Sequence, residues 1–192
     1  MDTEEEKLFS AIFEGDLATS RLLLENGVDP DCANTSGHPV LVNAIKLENL
    51  DAVQLLVEFG ADVNGLVNFK SPIDGREEYG YRPIYYAINP RILQYLIDKG
   101  AHVDVTSSKG ITPLMTFSEW CNLECVRILL RAGANIEAIA TTNEGVPITA
   151  KALAMFCLSK WQDIYKIDRR KEIFTKIENA EKCLSVLNGE AI

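Results

Sequence analysis

The sequence predicts an all-α fold of stacked helix pairs, and three observations carry that expectation. Four segments align without gaps: Leu22–Asp31, Leu55–Asn64, Tyr95–Asp104 and Ile128–Glu137, each pairing an apolar triplet with a glycine and a short polar run. Their glycines, Gly27, Gly60, Gly100 and Gly133, are spaced 33, 40 and 33 residues apart. A second series, Gly37, Gly80, Gly110 and Gly145, follows the first by 10 to 20 residues. Self-similarity at such a period marks a repeat array, in which each unit buries its apolar face against its neighbours.

Each element of the repeat has a physical reason. The apolar triplet is the inner face of a second helix, so Leu23, Leu56, Leu96 and Leu129 are expected in the core. The glycine that follows supplies the left-handed residue that ends this helix. The polar stretch beyond it makes a turn. Thr112-Pro113 then opens the next helix, with threonine able to cap and proline preset for the first helical position. Small residues at Ala44 and Ala87 let paired helices approach closely.

With those residues in view, the chain resembles the ankyrin-repeat family. The carriers are Gly60-Ala-Asp-Val-Asn64 and Gly110-Ile-Thr-Pro-Leu114, recurring in phase, and residues 34–66 and 107–139 each match the family's period of 33. The resemblance implies a single domain over 1–192, an all-α solenoid of about five helix-turn-helix repeats with short hairpin-like turns. Their expected bounds are 3–33, 34–66, 67–106, 107–139 and 140–189, the last a longer capping helix pair. A charged first repeat is what a terminal cap needs.

Two repeats depart from the pattern. About ten residues, Val67–Arg76, are inserted before the first helix of the third repeat, and three are missing between its helices, where Asn89-Pro90 makes an abrupt join. Insertions in such arrays fall in loops, which leaves this one open as an elongated turn or as part of a binding surface. In the last repeat, Ala150–Ile167 reads as a long apolar helix and Arg169–Leu187 as another, with Ile173, Ile177, Ala180 and Leu184 on one stripe. Six bases between Lys166 and Lys182 are interleaved with Asp168, Glu172, Glu178 and Glu181, which reads as a solvated helix face rather than a nucleic-acid site.

Composition narrows the function. The net charge is −9, and residues 1–100 carry 17 acids against 8 bases while 101–192 carry 11 of each. An acidic front half repels nucleic acid and anionic membrane and attracts a basic partner. Apolar runs such as Ala152–Leu158 are too short to span a bilayer. The acidic N-terminus lacks the layout of a secretory signal, so a cytoplasmic location is expected. The five cysteines are odd in number and irregularly spaced, which reads as reduced, buried thiols, with Cys121 and Cys125 sharing a helix face. Two histidines and no clustered cysteines leave no metal site. Phosphate loops, HExxH and G-x-S-x-G are absent, so neither catalysis nor a cofactor is expected.

What remains is protein recognition by a chain that is monomeric when free. The resemblance implies binding through the turn tips and the first helix of each pair. Carried over by position, this selects His38, Lys46 and Leu47, with Thr35 and Ser36, in the second repeat. The third contributes Tyr79, Tyr81 and Asn89, with Glu78, and Phe69 on its insertion. The fourth contributes Lys109, Ile111, Glu119 and Trp120, with Ser108, and the fifth contributes Val146. Tyr79, Tyr81 and Trp120 fall at positions expected to face solvent, and such aromatics anchor hot spots. Two roles stay open: an inhibitor or immunity protein of a basic toxin or enzyme, and a regulatory adaptor or secreted effector that recruits a host protein.

Overall fold

The computed structural model describes residues 3–70, 77–141 and 145–190, and the side chains of 68–70 and 77–79 lie outside the described set. The chain forms two compact units, residues 1–102 and 103–192.

In the first unit, α1 (Glu4–Glu14) pairs with α2 (Leu17–Glu25), and α3 (Val40–Lys46) with α4 (Leu50–Glu58). Local chemistry starts and stops these helices. Thr3 and Glu6 form a reciprocal capping box on α1. Asp16 and Asn49 cap α2 and α4, each accepting at 3.0 Å from the backbone N–H three residues on. Gly27 and Gly60 end the second helices at φ 90° and 99°, and a Cβ there would meet nothing within 4 Å. Backbone conformation alone therefore demands glycine at these two positions. Leu8, Ile12, Leu41, Ile45 and Leu56 are fully buried, and Ala44 is closed in with them.

The third pair is where the sequence expectation needs correcting. Its first helix is a single 3-10 turn, Pro83–Tyr86, followed by α5 (Pro90–Asp98) with Asn89 as its N-cap. The three missing residues remove the room for a second α-helical turn. The insertion is closed by an antiparallel hairpin, β1 (Val67–Lys70) on β2 (Glu77–Tyr81), with Val67 opposite Tyr81. Val67 and Ala87 are fully buried.

In the second unit, α6 (Pro113–Glu119) pairs with α7 (Leu123–Arg131). Thr112 caps α6 by accepting from Met115 N–H at 3.2 Å, with Pro113 at the first helical position. Two short strands, β3 (Ala140–Thr141) and β4 (Pro147–Ile148), pair before α8 (Ala150–Ile167) and α9 (Lys171–Leu187). The last two helices lie along each other, α8 against α6 and α9 against α7. The buried stripe of α9 runs through Ile173, Ile177, Ala180 and Cys183, so Cys183 takes the fully buried place expected for Leu184. The bases of this segment are exposed, Lys166 pairing with Asp163 and Arg170 with Asp168, each at 2.7 Å.

The cysteines correct the sequence reading twice. Cys121 sits in the turn between α6 and α7 at φ 52°, so it shares no helix face with Cys125 of α7. It is disulfide-bonded to Cys157 of α8, with the two Cα atoms 6.7 Å apart. Ala180 packs there, with Leu158 and Trp161 partly covering the group. Cys32, Cys125 and Cys183 form no disulfide and are buried as expected.

Candidate functional site

The turn tips ahead of the first helices are built as rigid loops. In the first unit, Asn34 N–H donates to His38 O at 3.0 Å and Gly37 N–H to Asn34 O at 2.8 Å. The Asn34 Oδ1 fills the loop, accepting from Ser36 N–H at 3.0 Å and His38 N–H at 3.1 Å. The second unit repeats the device with serine. Ser107 N–H donates to Ile111 O at 3.0 Å, and Ser107 Oγ accepts from Lys109 and Ile111 N–H at 3.4 and 3.3 Å. A loop held from within keeps its geometry without a partner, which lowers the entropy cost of binding one.

Around the first tip, the structure brings several selected residues together. Lys46, the last residue of α3, places its ammonium 4.9 Å from the centroid of Tyr86. Burial holds the Lys46 pKa below its ordinary value. It does the same to His38, with the charge of Lys46 adding to the effect. Leu47 is exposed at the end of α3. Tyr81 is half-buried and stands edge-on to Tyr85, ring centroids 5.1 Å apart, so it props the third pair more than it faces solvent. Asn89 caps α5 through Oδ1 on Arg91 N–H at 3.0 Å and donates Nδ2 to Glu48 at 3.1 Å. Phe69 and Tyr79 fall in the hairpin strands, and their side chains, like that of Glu78, lie outside the described residues.

In the second unit, Lys109 and Glu119 are exposed and Ile111 is half-buried. Val146 stands exposed before β4. Trp120 is 50% exposed, with its ring edge-on to the buried Phe117 at 5.9 Å between centroids. Sequence reasoning missed Tyr86, the ring beneath Lys46. It also missed Phe9 and Phe13, which flank the buried stripe of Leu8, Ala11 and Ile12 on α1. Their four-residue spacing was the available signal.

A family model described as ankyrin repeats, in three copies, matches residues 8–107. The chain belongs to the ankyrin-repeat family. A single ankyrin-repeat model matches residues 109–141 in addition. This makes the chain a protein–protein interaction module with an all-α ankyrin fold, from a family that is generally non-catalytic. Its relatives include a putative ankyrin repeat protein of Acanthamoeba polyphaga mimivirus, 32% identical over 65% of this chain and 35% of the relative. Protein phosphatase 1 regulatory subunit 27 of Mus musculus is 33% identical over 53% of the chain and 62% of its own length. A putative ankyrin repeat protein of Fowlpox virus is 28% identical over 56% of the chain and 18% of its own. The chain therefore spans between 18 and 62% of the length of these three relatives.

Proposed function

We propose that this ankyrin chain is a non-catalytic module that grips a protein partner through its turn tips and first-helix residues. The observation that carries the reading is Trp120, half-exposed and yet held edge-on by Phe117. A large ring already fixed in place contributes contact area at small cost in side-chain entropy, as hot-spot residues do. Lys46, held over Tyr86, is the corresponding anchor of the first unit.

The acidic balance of residues 1–100 favours a partner with a basic surface, and an inhibitor of a basic toxin or enzyme is the version that uses it. A regulatory adaptor is the second reading. The relative named as a regulatory subunit of a phosphatase supports it, over 53% of this chain.

The test is an affinity capture from the source cell, comparing wild type with Lys46→Ala/Trp120→Ala. Tyr81 is left intact because its contact with Tyr85 supports the fold. A stoichiometric partner lost by the double variant, with its helical circular dichroism unchanged, is the expected result. A partner kept at full occupancy moves the interface elsewhere and ends this reading.

A further inference from the structure

A groove of about 630 Å³ runs between the outward stripe of α1 and the turn ahead of α3. Its α1 wall is Glu6, Phe9, Phe13 and Glu14, and Thr35 and Asn43 stand opposite. Phe13 is 69% exposed and Phe9 half-buried, so two rings four residues apart form an apolar floor, one of them largely open to solvent. Among the described residues every charged one lining the groove is acidic, with Glu5 joining Glu6 and Glu14. Glu6 shares its carboxylate with the Thr3 N–H of the capping box, and of the neighbouring acids Glu4 pairs with Lys7 and Asp16 caps α2.

Resting on the protein-binding reading above, we propose that this groove takes an extended basic segment of the partner. One apolar side chain of that segment lies on Phe9 and Phe13, and flanking lysines or arginines meet the acidic rim. The volume falls in the range of clefts that take a small ligand. Carboxylates around apolar rings repel an anionic ligand, whereas a lysine or arginine stem packs on a phenyl face and carries its charge to the rim. The floor is only two rings wide, which fits a single apolar anchor rather than the continuous stripe of an amphipathic helix.

The experiment pans a phage-displayed library of random dodecapeptides on the immobilised full chain. The enriched peptide is then synthesised and its affinity measured by fluorescence anisotropy. Enriched sequences are expected to hold a leucine or aromatic residue with lysines or arginines close by. Their affinity should fall steeply as salt rises from about 50 to about 300 mM. Phe13→Ser and Glu14→Lys, both at exposed positions, should each weaken binding about tenfold or more. Glu25→Lys makes the same charge change on α2, outside the groove, and should cost far less. No enrichment, enrichment of uncharged or acidic peptides, or equal losses in Glu14→Lys and Glu25→Lys overturns the proposal. Peptides that respond only to Lys46→Ala or Trp120→Ala also overturn it, while leaving the wider protein-binding reading standing.

Discussion

Asp31 Oδ1 accepts the backbone N–H of Asp62, a full repeat further along the chain, at 2.8 Å. The same unit continues the ladder: Asn64 Oδ1 accepts from His102 N–H and its Nδ2 donates to Gly100 O, both at 2.9 Å. Within the second unit Asp104 makes the equivalent bond to Asn135 N–H at 2.8 Å. Each net hydrogen bond contributes on the order of 1 kcal/mol, less where water competes. Asn64→Ala should therefore destabilise by about 1–2 kcal/mol and Asp31→Ala by about half that, read as shifts in urea midpoint at unchanged slope. Equal effects would show that the ladder is not what these side chains contribute.

The turn beneath that ladder is closed by Asp29, Asp62 and Asn135, which accept from the backbone N–H two residues on at 2.9, 2.8 and 3.0 Å. The fourth equivalent is His102, an exposed imidazole in place of the short acceptor. His102→Asp supplies the missing turn chemistry and should raise stability by about 0.5–1 kcal/mol. A variant melting below wild type would refute this.

The parts legible in sequence were those where one residue type answers one backbone demand. Gly27 and Gly60 could be read as helix ends because nearly every other residue resists their φ, and Thr112-Pro113 because it both caps and presets a helix. The link between paired helices was not legible. Gly15 takes φ 74° there, but Glu48 and Cys121 adopt 54° and 52° at the corresponding places without advertising it. For the same reason Cys121 reads as sharing a helix face with Cys125, which hides its approach to Cys157. The first helix of the third repeat carries a normal-looking Pro83-Ile-Tyr-Tyr86, and only the shortened join reveals that one 3-10 turn fits. The acids of α1 read as the polar face of a terminal cap, which masks the four-residue spacing of Phe9 and Phe13.

The Cys121–Cys157 bond spans a sequence separation of 36 residues and ties α8 to the turn after α6. By the chain-entropy argument a loop of that size contributes about 3–4 kcal/mol. Unreduced protein, alkylated after denaturation, should take up label at Cys32, Cys125 and Cys183 alone. Cys157→Ser should lower the melting temperature and speed hydrogen exchange in α8 and α9 before α1 and α3. Labelling of all five thiols in rapidly quenched cells would instead mean that the bond does not form where the protein works.

The buried cysteines outside the disulfide also predict a pH dependence. Burial pushes Cys32 and Cys183 up to about 11 and Cys125 up to about 12, from an ordinary value near 9. The folded state holds these protons more tightly than the unfolded state does. Their contribution is complete below pH 9 and is lost as the pH rises through 11 to 12. Cys183→Ala, whatever its effect at neutral pH, should flatten the fall in urea midpoint above pH 9. An unchanged slope would assign that fall to other groups.

His38 works in the opposite direction. Burial, and then the charge of Lys46, hold its pKa below the ordinary 6.5, so the folded protein takes up that proton less readily than the unfolded chain. The resulting stability is complete above pH 6.5 and is lost as the pH falls through the folded value. Because Lys46 is the secondary cause, Lys46→Met should raise the His38 titration midpoint only part of the way, followed through the ring protons by NMR. The same variant removes the cation held over Tyr86. If Lys46 contacts an acidic patch on the partner, binding by the wild type should gain on protonation of His38 below neutral pH. If the partner is basic there, as the charge of the first unit favours, affinity should fall as the pH drops. Affinity measured across that range, once the partner is in hand, decides which sign of charge the turn tip of His38 meets.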